Sequence, residues 1–367
     1  MPRYGLKRLF LLLLIPASMI VILIATKNSA WVEEYFSRGL YIILCPAFTS
    51  LSGLFPFSVS ELLIYGGILA LIIITVRTVR NAVKDQDRRG YTVYTYVANI
   101  AVITAVLYAC FVFGCGLNYY RVPFAQTAGL TVRESSPEEL KALCTELVNK
   151  ANTQSQYIAA DENGETKLPV SDLQTADNAV AAMKSISKQY PFMRGLYSRP
   201  KPVLSSKLMS LANITGIYFP FTFEANVNVD VPDYAIPATM CHELAHQRGF
   251  MREDEANFIS YMACRNSNNS YFIYSGTLSA ISFAFDSLRG VDPAAYDELY
   301  GQLSEGIKQD FAAYNRYWHK YEGVVSQVST SVNNAYLKAN NQSDGVFSYG
   351  RMVDLMLAEY RQRNSLS

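Results

Sequence analysis

The sequence predicts a mainly α-helical membrane protein in which three N-terminal transmembrane helices precede a water-facing α+β domain with a small sheet. Three observations carry that reading. Uncharged apolar runs crowd the first 120 positions, at about 9–25, 62–76 and 96–116. Charged residues make up only 17% of the chain, against roughly 25% in an ordinary soluble domain. Beyond residue 120, amphipathic helical patterns and one tract of period-two alternation mix charge with apolar groups, as a folded domain does. The expected division is therefore a membrane unit over 1–120 and a second unit over 121–367.

The first run (LFLLLLIPASMIVILIA) has no charge and is just long enough to cross hydrocarbon at about 1.5 Å rise per residue. Pro16 is expected to disturb it. A cleaved signal peptide competes, since Arg3, Lys7 and Arg8 precede the run, but no small-x-small cleavage site follows and the run reads as an anchor. The other two runs are bounded by polar or charged residues, as spans are. Flanking Lys and Arg mark the cytoplasmic side. They cluster at the N-terminus and between the second and third runs (Arg77, Arg80, Lys84, Arg88, Arg89), whereas the first loop holds only Lys27 and Arg38 beside Glu33, Glu34 and Glu61. That places the N-terminus inside, and the first loop and everything after Asn118 outside. The aromatic segment 31–58 reads either as an interfacial or re-entrant piece or as a helical lid packed on the spans.

In the outer unit, Ser136 followed by Pro137, Glu138 and Glu139 is a helix start, and Leu140, Leu143, Leu147 and Val148 form its apolar stripe. Residues 152–168 read as a polar loop, and a second helix spans about 171–189 ahead of Pro191. Over 216–231 (GIYFPFTFEANVNVDV), Phe223, Ala225, Val227 and Val229 alternate with Glu224, Asn226, Asn228 and Asp230, which predicts one strand with a wet face. Residues 271–288 are apolar enough to suggest a fourth span, yet Asp286 and repeated Ser favour a buried core helix. Helical patterns follow over about 292–333 and 349–360.

Pro237 opens a short helix holding Cys241-His242-Glu243-Leu244-Ala245-His246, an H-E-x-x-H pattern. Residues four apart on a helix lie about 40° apart around its axis, so His242 and His246 project from one face and can share a metal ion, most naturally Zn2+. Glu243 stands at the rim of the same face, where a carboxylate can take a proton from water and pass it to a leaving amine. The chain has three His in all, and two fall in this spacing, which argues against coincidence. A catalytic zinc needs a third protein ligand. After Gly249 a new helix begins near Glu253, and Glu253 is favoured over Glu255 as that ligand, with Asn257 one turn on as a brace. Arg252 stands where metzincins place their third ligand, which excludes that site type.

The stretch HELAHQRGFMREDEANF resembles the gluzincins, zinc peptidases in which H-E-x-x-H is followed by E-x-x-x-D or E-x-x-x-N on the next helix. With the three apolar runs, and with FPFSVSE (55–61), GLNYYR (116–121) and SYGRMVDLML (348–357), the chain also resembles an uncharacterised bacterial family of multi-pass H-E-x-x-H proteins known only as a domain of unknown function. The resemblance implies a zincin-like domain outside the bacterial inner membrane, with zinc on His242, His246 and Glu253 and with Glu243 catalytic. By the same analogy the strand at 224–230 would be the edge that pairs with extended substrate. His319 and Tyr349 are the candidates for stabilising an oxyanion.

Six Cys do not form a disulfide scaffold. Cys241 and Cys264 flank the site on consecutive helices, where packing is favoured over a bridge. A net charge of +1 leaves no field to attract nucleic acid. The expected partners are the lipid bilayer and a peptide or protein substrate, hydrolysed by a zinc-dependent peptidase. The alternative is a zinc-stabilised binding or assembly module of the cell envelope that does not hydrolyse. Substrate specificity and oligomeric state are not encoded legibly.

Overall fold

Three helices are long and apolar enough to cross a membrane: α1 (Arg8–Ala25), α3 (Val59–Lys84) and α4 (Arg89–Gly114). The structure is a computed structural model that describes residues 7–364, apart from the side chains of residues 347 and 349. Arg3, counted above among the leading positive charges, lies outside the described residues. Leu-rich and Ile-rich faces of these helices are exposed along their length, as expected of surfaces that meet lipid rather than protein. Helix α1 matches the run 9–25 to within a residue, α3 extends beyond 62–76 at both ends, and α4 starts ahead of 96–116 through its charged and polar flank but stops at Gly114, short of residue 116. The first six residues of α1, Arg8–Leu13, wind as a 3-10 helix ahead of Pro16, whose missing N–H and ring disturb the preceding turn.

Segment 26–58 belongs structurally to the base of the C-terminal unit. It comprises the π-helical stretch Val32–Leu40 and helix α2 (Tyr41–Ser52), and Tyr41 and Cys45 on α2 are buried against the following domain. Of the two readings above, a packed helical lid is the closer. A junction core of Ala25, Val32, Phe36, Val112, Leu117 and Phe223 joins the two units. The C-terminal unit sits at the start of α3 and the end of α4, opposite the basic hairpin that links them.

Beyond it, helices surround a small sheet. Helix α5 (Pro137–Ser155) starts with the expected capping box on Ser136 and Glu139. Helix α6 (Asp172–Ser185), strand β1 (Lys201–Pro202) and helix α7 (Ser206–Leu211) follow. Helices α8 (Ile236–Gln247), α9 (Glu253–Arg265) and α10 (Ser270–Val291) form the centre of the domain core. Helix α10 is the buried core helix expected over 271–288. The long helical tract beyond it divides into α11 (Pro293–Gly301), α12 (Glu305–His319) and α13 (Val324–Ala339), with α14 (Met352–Arg363) closing the chain.

The tract 216–231 corrects the sequence reading twice. It is a hairpin of β2 (Gly216–Phe219) and β3 (Glu224–Val227), not one strand, and the sheet order is β1-β3-β2. The turn carries no Gly or Asn. Phe223 itself takes a left-handed φ of 56°. Nor is the polar face wet, since Glu224, Asn226 and Asn228 are all buried. The Glu224 carboxylate accepts from the backbone N–H of Val59 at 3.2 Å and of Ser60 at 2.7 Å, which caps the start of α3. Ser58 donates to Asn226 Oδ1 at 2.6 Å. The polar face is thus a plug for the apolar helices.

Candidate metal centre

Helix α8 ends in a Schellman turn: Gly249 N–H reaches the His246 carbonyl at 2.8 Å and Phe250 N–H reaches Ala245 at 3.1 Å. Gly249 has φ +88°, and a Cβ there would lie 3.1 Å from both Asn118 and Tyr41 atoms, so a side chain meets strain and crowding together. The turn lets the chain reverse within a few residues, and α9 begins with Glu253 already beside the last turn of α8. Gln342 Oε1 accepts the Glu253 N–H at 3.1 Å, and Ser348 braces Gln342 at the same distance.

The reversal brings three side chains together. His242 Nε2 and His246 Nε2 are 3.0 Å apart, and Glu253 Oε2 is 3.2 Å from the first and 3.6 Å from the second. Donors held tetrahedrally at about 2.0–2.1 Å from zinc lie about 3.3 Å from one another, so this spacing is that of a ligand set. His246 Nδ1 lies 2.8 Å from the Phe250 carbonyl, which can only accept. The proton is therefore on Nδ1, and a neutral ring turns its Nε2 lone pair towards the other two donors.

Burial opposes charge on His246, yet the Glu253 carboxylate outweighs it and lifts the imidazole pKa to about 9. Glu253 feels the reverse. Burial pushes it up, but the two imidazoles hold it well below the usual carboxylate range. A buried cluster that draws in positive charge this way fits a divalent cation.

Glu243 is buried beside the cluster, with Oε2 lacking any hydrogen-bond partner among the described residues. Burial raises its pKa against the pull of the imidazoles, and Glu253 raises it further. The side chain packs on Gly216 of β2, where an added Cβ would meet Glu243 Oε1 at 2.4 Å. His242, Glu243, His246 and Glu253 all line one cavity of about 990 Å³ that runs past β2, α12 and α13 to Phe111 at the end of α4.

The remaining candidates scatter. Glu255 is buried but turned away, accepting Phe124 N–H at 2.7 Å and facing Arg252 at 3.4 Å, because two residues along a helix face opposite sides. Asn257 lines the cavity, but its amide nitrogen has no hydrogen-bond partner among the described residues, so no brace to Glu253 forms through it. His319 is not near the centre: its side chain is 82% exposed and pairs with Glu322. The Tyr349 side chain lies outside the described residues. Cys241 and Cys264 are free thiols, packed as expected. The strand expected to be an edge, β3, is central between β1 and β2, and the edge that borders the cavity is β2.

The model of a protein family described as a protein of unknown function, DUF3810, matches residues 36–357. The chain belongs to that family. No curated protein and no solved structure matches it. The DUF3810 match thus spans the apolar helices α3 and α4 together with the cluster, and the family description assigns neither an activity.

The flanking motifs without an assigned role in the sequence acquire one in this DUF3810 chain. FPFSVSE supplies Ser58, Ser60 and Glu61, and Glu61 accepts from Leu204 and Ser205 N–H at 3.1 and 2.8 Å. GLNYYR supplies Arg121, which grips Glu33 through two nitrogens at 2.9 and 2.8 Å and donates to the Gly249 carbonyl at 3.1 Å. It also supplies Tyr119, hydrogen-bonded to Tyr336 at 2.9 Å. Burial holds both phenols above their ordinary range, with a smaller contribution from the nearby Glu253 carboxylate. Sequence reasoning missed Tyr336, which lines the cavity, and Gln247, whose carbonyl accepts from Tyr41 at 3.0 Å. No spacing signal pointed to either.

Proposed function

We propose that this chain is a zinc-dependent peptidase of the cell envelope, held in the membrane by its three apolar helices with the C-terminal unit outside. The observation that carries the reading is the convergence of the His242, His246 and Glu253 donor atoms within 4.8 Å of one another, beside an unpartnered Glu243 oxygen in the same cavity. His2Glu is a donor set of catalytic zinc, and structural zinc has no use for a fourth, unbonded acid at the rim.

When bound, zinc supplies Lewis-acid polarisation of a carbonyl and activation of water near neutral pH. Glu243 accepts the proton of the attacking water and returns it to the leaving nitrogen. Its raised pKa suits a group that must hold that proton for part of the cycle. Edge strand β2 orients the chain to be cut. Asn228 N–H bonds the Thr215 carbonyl, so by antiparallel alternation Ile217 and Phe219 pair with β3 while Gly216 and Tyr218 turn their main-chain groups away from it, with the Tyr218 N–H directed at the Glu243 carboxylate. An extended peptide can add there as a further strand. Tyr336, which lines the cavity where His319 does not, is the candidate in this reading to donate to developing negative charge.

The test uses the full chain in detergent, with metal analysis and hydrolysis of a random quenched-fluorescent peptide pool. The expected result is about one zinc per chain, lost in His242→Ala and Glu253→Ala but kept in Glu243→Gln, whose hydrolysis falls at least about 100-fold. Zinc without hydrolysis in the wild type would favour the non-catalytic module. A chain that takes up no zinc sinks both readings.

A further inference from the structure

Helix α13 leaves an apolar stripe uncovered between its cavity side and an exposed polar side at Gln327, Ser331 and Lys338. Ser329, Thr330 and Asn333 line the cavity, Val332 stands at its rim at 63% exposed, and Val325 and Val328 beyond it are 57–59% exposed. At 100° per residue the three valines share an arc of roughly 60° that runs into the cavity-lining arc through Val332 and Tyr336. An exposed apolar stripe of this kind is unfavourable in water and calls for a partner.

What it meets follows from where the helix is tied. Tyr336 packs edge-on against Phe111, in the last turn of apolar helix α4, with ring centroids 6.1 Å apart. The valine stripe therefore continues the lipid-facing surface of the apolar helices. A second exposed apolar pair lies near the other apolar helix: Leu204 and Leu208, beside and on α7, are exposed, and the Leu204 N–H is bound by Glu61 at the start of α3. The two exposed apolar patches are thus each anchored at the end of a different apolar helix.

We propose that α13 lies in the bilayer surface with its valines in lipid, forming a rim through which the cleft takes a peptide that is itself tethered to that membrane. The lipid contact stands on the placement of α13 alone, whereas the substrate class rests on the peptidase reading. A tethered chain reaches the β2 edge by diffusing in the plane of the bilayer, and its tether occupies the lipid beside the valines.

The test reconstitutes the full chain, in a Cys110→Ser background, into phosphatidylcholine vesicles. Single cysteines at 325, 328 and 332, or at the exposed polar positions 327 and 331, carry an environment-sensitive fluorophore. Nitroxide-labelled lipid is expected to quench the valine-face labels at least twofold more than the polar-face ones. Equal quenching all round overturns the lipid contact. In the same vesicles, a palmitoylated random peptide pool is expected to be cleaved at least tenfold faster than the free pool. Equal rates overturn the tethered substrate. Cleavage of neither pool, with face-selective quenching intact, sinks the peptidase and its substrate while the lipid contact stands.

Discussion

Gly216→Ala isolates the proton-transfer group from the metal. The added Cβ would sit 2.4 Å from Glu243 Oε1 and 2.8 Å from its Cδ and Cγ, where ordinary contact is about 3.4 Å. The carboxylate must therefore withdraw from β2 by about 1 Å into the cavity that it lines. Misplacement on that scale costs about 100-fold in rate, ~2.7 kcal/mol of barrier. Overpacking adds a stability loss of about 1–3 kcal/mol. Gly216 touches none of the three donors through this contact, so zinc stoichiometry should stay at the wild-type level. The assay pairs metal analysis with hydrolysis of the peptide pool, and adds the double variant Gly216→Ala/Glu243→Asp, in which the shorter acid relieves the overlap and part of the activity returns. Wild-type rates in the single variant would refute the placement of Glu243, and loss of zinc would show that the substitution disturbs the whole cluster.

Glu255→Gln should retain zinc and lose about 1–2 kcal/mol of stability, since the amide oxygen still accepts from Phe124 N–H but no longer faces Arg252 as a charge. Glu253→Gln should lose the metal on dialysis, and metal analysis of the pair reads the contrast directly. Glu224→Ala leaves the Val59 and Ser60 N–H groups unmet at a buried helix start, and thermal unfolding in detergent should show a loss of roughly 3–5 kcal/mol. A loss under 1 kcal/mol would mean that water replaces the carboxylate. Arg361, through bonds of 2.8 and 3.0 Å, holds Glu139 down to about 2 from an ordinary carboxylate value. The lowered folded-state pKa gives stability that is full above the unfolded value near 4.5 and lost as pH falls towards 2, of order 1 kcal/mol for this partly exposed pair. Denaturation of Glu139→Gln at pH 7 and pH 3 should show the difference from wild type shrinking at the lower pH. His319→Ala should leave zinc content unchanged and stability within about 0.5 kcal/mol.

The parts legible in the sequence are those whose physics is local. Apolar runs must become helices if they are to cross lipid, whatever else the chain does. Residues 242 and 246 share a helix face by arithmetic alone. Choosing between Glu253 and Glu255 required the Schellman turn at Gly249, because both acids open the same helix and only its crossing on α8 decides which side meets the histidines. The hairpin escaped notice because the residue at its left-handed position is Phe223, where Gly or Asn would have signalled a turn. The buried polar face of β3 was illegible for another reason. Alternation shows that a strand has two faces but not what covers them, and here the cover comes from residues 58–60, more than 160 positions away.

The plug formed by Glu224 and Asn226 bears on how the molecule can be handled in the laboratory. A truncated ectodomain beginning at residue 121 would strand a bare carboxylate, an amide and the Gln247 carbonyl on a freshly opened hydrophobic wound. Soluble fragments of that design should aggregate, and biochemistry on this protein needs its greasy stem left attached.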